Sequence, residues 1–153
     1  MIPLNTSIVA GVALSQIDGE TKMLLLKRTK GNYWCHVAGH IEGDEKAWQA
    51  IIREFNEETQ IEVKQLYNGQ ILEQFFEANV NVMQIIPVFV VFCPAEQAVV
   101  LNHEHSEFRW CSLQEACDLV PFPNQREVYR QVWQSFVLNK PHPLFEVDIR
   151  KLS

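Results

Sequence analysis

The chain has 153 residues and a mass of 17.8 kDa, with 47% hydrophobic and 21% charged residues. That balance suits one globular domain with a substantial core and excludes a disordered or fibrous chain. The net charge of −6 argues against a general nucleic-acid or membrane-surface binder, since both need a basic face.

The N-terminal stretch "MIPLNTSIVAGVAL" has neither a basic n-region nor a small-residue cleavage pattern, so no signal peptide is expected. No apolar run reaches the roughly 20 residues of a membrane span. Cys35, Cys93, Cys111 and Cys117 form no CxxC pair, and the expectation is inert thiols in a reducing, cytoplasmic setting.

"TSIVAGVAL" and "KMLLLKR" are apolar runs of strand length, and Asp18-Gly19 between them is a hairpin signal. A loop, "TKGNYW", leads into the short apolar segment "WCHVAG". A long helix is predicted from about Asp44 to Thr59, with Asp44 as N-cap and Glu45 in the first turn. From Ile61 to Cys93 the chain is β-rich, and "NVMQIIPVFVVFC" suits a strand covered on both faces.

"EFRWCS" is a further strand, and Ser112 with Glu115 forms a capping box that opens a short helix. In "NQREVYRQVWQSFVLN", Val128, Val132, Phe136 and Val137 share one helical stripe that ends before Pro141. The tail from about 140 to 153 can fold back on its own domain or add a strand to a partner, so a homodimer stays open. Strands on both sides of a central helix, with helices at the end, predict an α/β fold: a mixed sheet between helices.

Six of the nineteen acids lie between Glu42 and Glu58. Glu54, Glu57 and Glu58 fall on one side of the central helix, beside the apolar face of Trp48, Ile51, Ile52 and Phe55. Like charges at these spacings repel by about a few tenths of a kcal/mol per pair, and the helix C-terminus disfavours them further. A solvated acidic face is the bland explanation, but no Lys at i+4 is interleaved to relieve it.

Read outward, the stretch is "GHIEGDEKAWQAIIREFNEETQI". It closely resembles the Nudix hydrolase signature: Gly, five residues, Glu, seven residues, then Arg-Glu-apolar-x-Glu-Glu-x-Gly-apolar. Gly39, Glu45, Arg53, Glu54, Glu57 and Glu58 match, while Gln60 replaces the final Gly. A chance match of this kind is expected on the order of once in 10⁵ chains of this length. The family's "GGxxExGE" lead-in is met by Glu42, with Ala38 for the first Gly and "GDE" for "xGE".

The resemblance implies an α/β/α sandwich and a hydrolase of diphosphate linkages that uses Mg²⁺, with Mn²⁺ as an alternative. It implies that Glu54, Glu57 and Glu58 hold the metal together with the Gly39 carbonyl, and that Arg53 pairs with Glu45 to fix the loop against the helix. Hard carboxylate oxygens suit such cations, which screen phosphates and activate water. The resemblance allows the general base to be a box Glu or a Glu from a later loop; Glu104 is the expected distal acid, a further metal ligand or general base, with Glu107 second. Arg28, Glu42 and His40 are the candidate substrate contacts, and Lys27 is expected on the opposite side of its strand from Arg28.

His103 and His105 are expected to be plain loop histidines, and Trp34 a packing residue. Phe75, Phe76 and Met83 are expected in the core rather than in a pocket. Within the family, "EHSEFRW" and "NQREVYRQVWQSFV" resemble the dATP and dihydroneopterin-triphosphate pyrophosphohydrolase branch. A nucleoside-triphosphate-type substrate, cut to a monophosphate and pyrophosphate, is therefore expected. ADP-ribose, nucleotide-sugar or dinucleotide substrates are the alternatives, as is a non-catalytic nucleotide-binding module. The partner is expected to be a small nucleotide-like molecule, not nucleic acid or membrane. The absence of GxxxxGK(S/T), GxSxG and HExxH disfavours P-loop, α/β-hydrolase and zincin chemistry.

Overall fold

A computed structural model describes residues 1–150. Nine strands form a single mixed sheet. They are β1 (Leu4–Asn5), β2 (Ile8–Ile17), β3 (Glu20–Arg28), β4 (Trp34–Cys35), β5 (Val37–His40), β6 (Leu66–Glu77), β7 (Val82–Phe92), β8 (His105–Cys111) and β9 (Glu146–Val147). The order is β4-β3-β2-β7-β6-β9, with β1 on β7, β5 on β2 and β8 on β3. Asp18 and Gly19, both at positive φ, form the expected hairpin turn between β2 and β3. The tail as far as residue 150 folds back on its own chain, as β9 pairs with β6 at Leu66 and Tyr67; its last three positions, 151–153, lie outside the described residues.

The helices are α1 (Ala47–Thr59), α2 (Leu113–Leu119) and α3 (Pro123–Val132). The first covers one face of the sheet through Ala50, Ile51 and Phe55, against Val9, Ala13, Leu24, Leu26, Phe89 and Val91. The other two cover the opposite face through Ala116, Val128, Tyr129 and Val132, against Ala10, Val12, Leu14, Val88 and Val90. This is the expected α/β/α sandwich, and β2, buried on both faces, explains its unbroken apolar run. Ser112 and Glu115 close the capping box on α2 as expected. Beyond α3 the chain widens into a π-helical turn, Trp133–Val137, keeping Phe136 buried and Val137 half-buried.

Two expectations need correction, the first of them about α1. The helix begins at Ala47, not Asp44, and Asp44 caps nothing. Glu45 accepts from the Glu42 amide at 2.8 Å and from Arg53, so residues 42–45 form a turn. The Gln49 side chain accepts from the Lys46 amide instead. The second correction concerns Phe75 and Phe76, which are partly exposed rather than core.

Gly11 sets how closely α1 approaches the sheet. A Cβ there would lie 2.6 Å from the Phe55 ring and 2.9 Å from Ile51. Burying two such side chains contributes about 3–6 kcal/mol, against about a few tenths of a kcal/mol of repulsion per acid pair. Packing therefore holds the acidic ridge in place despite its charge.

At its other end α1 stops at Gln60, φ 57°, whose amide donates to the Asn56 carbonyl at 2.9 Å. A non-glycine residue in that left-handed conformation costs about 1 kcal/mol. Gln60→Gly is accordingly expected to stabilise the protein by about 0.5–1 kcal/mol, read as a higher urea midpoint with no change in kcat.

Candidate active site

Glu54, Glu57 and Glu58 emerge from one side of α1, and the backbone of β5 lies against them. Gly39 is the contact point: a Cβ there would fall 2.1–2.5 Å from the Glu54 carboxylate. β5 stays in place by pairing with β2, Val9 opposite Gly39 and Ile8 opposite His40.

Arg53 ties the ridge to the loop below it. Its Nε and Nη2 donate to the two Glu45 oxygens at 2.8 and 3.0 Å, and Nη2 also donates to the His40 carbonyl at 2.8 Å. Nη1 reaches Glu54 at 2.8 Å and Glu57 at 3.2 Å, with Glu42 at 3.6 Å. The hydrogen bond from Arg53 holds the Glu45 carboxyl below the usual carboxylate range. The expected Arg53–Glu45 pair is therefore present, and Arg53 also bridges the ridge itself.

Glu54 and Glu58 are buried. Burial is the main cause that raises the Glu54 carboxyl, with Arg53 opposing it. Burial, then the charges of Glu54 and Glu104, push Glu58 up to about 9. Glu58 Oε2 has no hydrogen-bond partner, and Oε1 lies 3.6 Å from His105 Nε2.

Glu104 thus stands within electrostatic reach of Glu58, as does Arg28, whose charge lowers the same carboxyl. The Glu104 amide donates to Asn102 Oδ1, and its carbonyl accepts from the Thr29 amide. Arg28 donates to the Tyr33 hydroxyl at 2.9 Å. Lys27 points elsewhere, 3.4 Å from Glu107, which accounts for the second-choice acid as a surface pair. The His40 and Glu42 side chains are exposed at the margin.

His105 is not a plain loop histidine: it opens β8 and is buried against Glu58. Its position after Glu104, at the start of a strand, was the available signal. Trp34 packs as expected against the α2–α3 side, with the Arg109 guanidinium 5.2 Å from its ring. The cysteines are free, and burial raises Cys35 and Cys93 to about 12 and Cys111 to about 11.

Among the described residues no three His, Cys, Asp or Glu side chains converge to hold a metal ion as they stand. Arg53 occupies two of the carboxylates instead. The donor set nonetheless fits a hard divalent cation: buried carboxylates crowd one another, and Glu58 keeps an unpartnered oxygen.

Acids on one helix, fixed by an arginine to a strand end of a sheet between helices, suit a hydrolase that works on phosphoric anhydrides through a hard cation, and comparison with known proteins gives that class. The NUDIX domain model matches residues 6–133, and the chain belongs to that family. It is similar to the asymmetrical bis(5'-nucleosyl)-tetraphosphatase of Mus musculus, 30% identical over 135 residues, 84% of this chain and 89% of that one. The Sus scrofa protein of the same name is 33% identical over 116 residues, 72% of this chain and 77% of its own.

Among solved structures, the binary complex of a C. elegans Ap4A hydrolase superposes with a TM-score of 0.75 at 25% identity, covering 86% of this chain and 96% of that one. The E. coli dihydroneopterin triphosphate pyrophosphohydrolase shares the fold, with a TM-score of 0.70 at 24% identity over 84% and 93%. The chain is a Nudix hydrolase of diphosphate bonds. No helix among the described residues is long and apolar enough to cross a membrane.

Gly39→Ala tests the contact between β5 and the ridge. The added methyl meets the flexible end of Glu54, so the backbone need not move but the carboxylate must. A displacement of about 1 Å can cost about 10²-fold in rate. The expected result is a kcat loss of that order with little change in melting temperature.

Proposed function

We propose that the chain hydrolyses a dinucleoside tetraphosphate, splitting it asymmetrically into a nucleoside triphosphate and a nucleoside monophosphate. The observation that carries this is the similarity, over 84% of the chain, to relatives named for that activity. Tyr33 and Phe122, packed edge to face at 5.5 Å beside Arg28, offer aromatic surface near the ridge for a base.

Nudix hydrolases generally use divalent metals, and Glu54, Glu57, Glu58 and the Gly39 carbonyl would hold one. When bound, Mg²⁺ or Mn²⁺ supplies positive charge to the phosphates and activates the attacking water. The chain's own residues do the rest. Arg28 faces the phosphates, and Arg53 keeps loop and ridge in register. Glu104 accepts the proton of the water as its oxygen bonds to phosphorus and the bridging P–O bond breaks.

A nucleoside-triphosphate-type substrate is the second reading, favoured by the likeness of "EHSEFRW" and "NQREVYRQVWQSFV" to the pyrophosphohydrolase branch. A product screen with Mg²⁺ decides between them, using diadenosine tetraphosphate, nucleoside triphosphates, dihydroneopterin triphosphate and ADP-ribose. The highest kcat/KM is expected for the tetraphosphate, with ATP and AMP as products. Preferred release of pyrophosphate from a triphosphate would replace the first reading by the second. No turnover on any of them would leave a nucleotide-binding module.

A further inference from the structure

On the face of the sheet opposite α1, four polar side chains meet inside the core. His36 precedes β5, Glu73 lies on β6, and Gln125 and Tyr129 lie on α3. They are 2, 5, 7 and 0% exposed. His36 Nε2 is 2.7 Å from Glu73 Oε1, and His36 Nδ1 is 2.7 Å from the Tyr129 hydroxyl. Gln125 Nε2 donates to Glu73 Oε2 at 3.3 Å.

Both ring nitrogens of His36 thus face a buried polar group. Burial pushes the Tyr129 hydroxyl well above its ordinary value, so it stays protonated beside His36 Nδ1. Burial also pushes the Glu73 carboxyl up, but His36 and Gln125 beside it outweigh this and leave it below the usual range. Glu73 is thus anionic. Gln125 turns its amide nitrogen to that carboxylate, which leaves Gln125 Oε1 without a partner and Glu73 Oε1, 2.7 Å from His36 Nε2, without an aligned hydrogen bond.

Such a cluster is a poor way to stabilise a core. Buried ion pairs rarely exceed apolar residues of the same size in stability, and a stranded acceptor costs more. What the cluster does supply is fixed geometry. β5 is four residues long, and among the described residues β2 is its one strand neighbour. It carries Gly39 against Glu54 and the His40 carbonyl that accepts from Arg53. His36 is the residue just before it.

We propose that His36 is a positioning residue, clamped by Glu73, Gln125 and Tyr129, that fixes β5 against β6 and α3. The clamp sets the height of the Gly39 carbonyl above the acidic ridge, and with it the affinity for a divalent cation. This rests on the reading of Gly39 and the ridge as the metal site.

The test replaces the cluster by an apolar one: His36→Leu, Glu73→Leu, Gln125→Leu and Tyr129→Phe together. Three quantities are compared with wild type: melting temperature, the Mn²⁺ dissociation constant by EPR without nucleotide, and kcat and KM for diadenosine tetraphosphate with Mg²⁺. The expected variant melts at or above wild type. It binds Mn²⁺ about 10-fold more weakly and loses a similar factor in kcat, as when partners that orient metal ligands are removed. Its nucleotide KM stays unchanged.

A folded variant with wild-type Mn²⁺ affinity and kcat overturns the clamp, whatever its melting temperature. So does a raised KM with kcat and Mn²⁺ affinity intact, which would make these residues substrate contacts. If the fourfold variant does not fold, Tyr129→Phe removes only the hydroxyl on His36 and carries the same test, with undiminished Mn²⁺ affinity overturning the clamp. Wild type that binds no Mn²⁺ overturns the metal site and the clamp with it. Mn²⁺ binding by wild type with no change in the variant overturns the clamp alone.

Discussion

Glu58→Gln is expected to lower kcat by about 10³-fold while leaving the metal-free protein at least as stable as wild type. Gln has the shape of Glu, so the packing around a side chain that is 2% exposed is kept. What changes is charge. The carboxyl is raised to about 9 by burial and by Glu54 and Glu104, in that order.

The sign follows from that direction. A carboxyl whose folded value lies above its unfolded one binds its proton more tightly when folded. Its contribution is fully present below the unfolded value, about 4.3, and is lost as pH rises toward about 9. Wild type without divalent cation should therefore melt progressively lower across that window, and Glu58→Gln should flatten the decline. Added Mg²⁺ should raise the melting temperature of wild type, most at the alkaline end, and raise that of the variant less. Loss of turnover with retained or improved stability would mark Glu58 as a group kept for chemistry. A variant that turns over normally would remove Glu58 from the reaction.

The sequence carried the ridge because helical periodicity and side-chain charge are local properties. Residues at i, i+3 and i+4 must share a side of α1 whatever the rest of the chain does. The Asp18-Gly19 hairpin and the Ser112–Glu115 capping box were legible for the same reason. The start of α1 was not. Asp44 looks like an N-cap by type, but Glu45 is claimed by Arg53, eight residues on, and that contact holds the turn open until Ala47.

The partners of His36 and His105 were beyond reach. Glu73 is 37 residues from His36, and Glu58 is 47 from His105. No periodicity reports which buried strands and helices will set such pairs side by side. A histidine in an apolar run reads as an interruption until the element opposite it is known. Phe75 and Phe76 misled in the other direction. Apolar type argues for burial, yet they lie near the end of β6, where the helices no longer cover the sheet fully.

Arg53→Ala is expected to cost both activity and stability, and Arg53→Lys mostly activity. The guanidinium makes five hydrogen bonds, to both oxygens of Glu45, to the His40 carbonyl, to Glu54 and to Glu57. It offsets part of the ridge's charge and sets the loop's position, and the two substitutions separate these tasks. Alanine leaves Glu54 buried without a counter-charge, a loss of about 1–3 kcal/mol, and frees the loop. Lysine keeps a charge near the ridge but has one nitrogen, so it cannot span Glu45, the His40 carbonyl and Glu54 together.

For the lysine variant kcat should fall about 10–100-fold with the melting temperature close to wild type. For alanine the melting temperature should drop as well, and saturating Mn²⁺ should recover part of it, since a bound cation replaces the missing charge. The same Mn²⁺ should not recover kcat, because no ion restores the links from the ridge to Glu45 and His40. Full rescue of alanine turnover by Mn²⁺ would show that Arg53 supplies charge alone and that β5 and its loop keep their place without it.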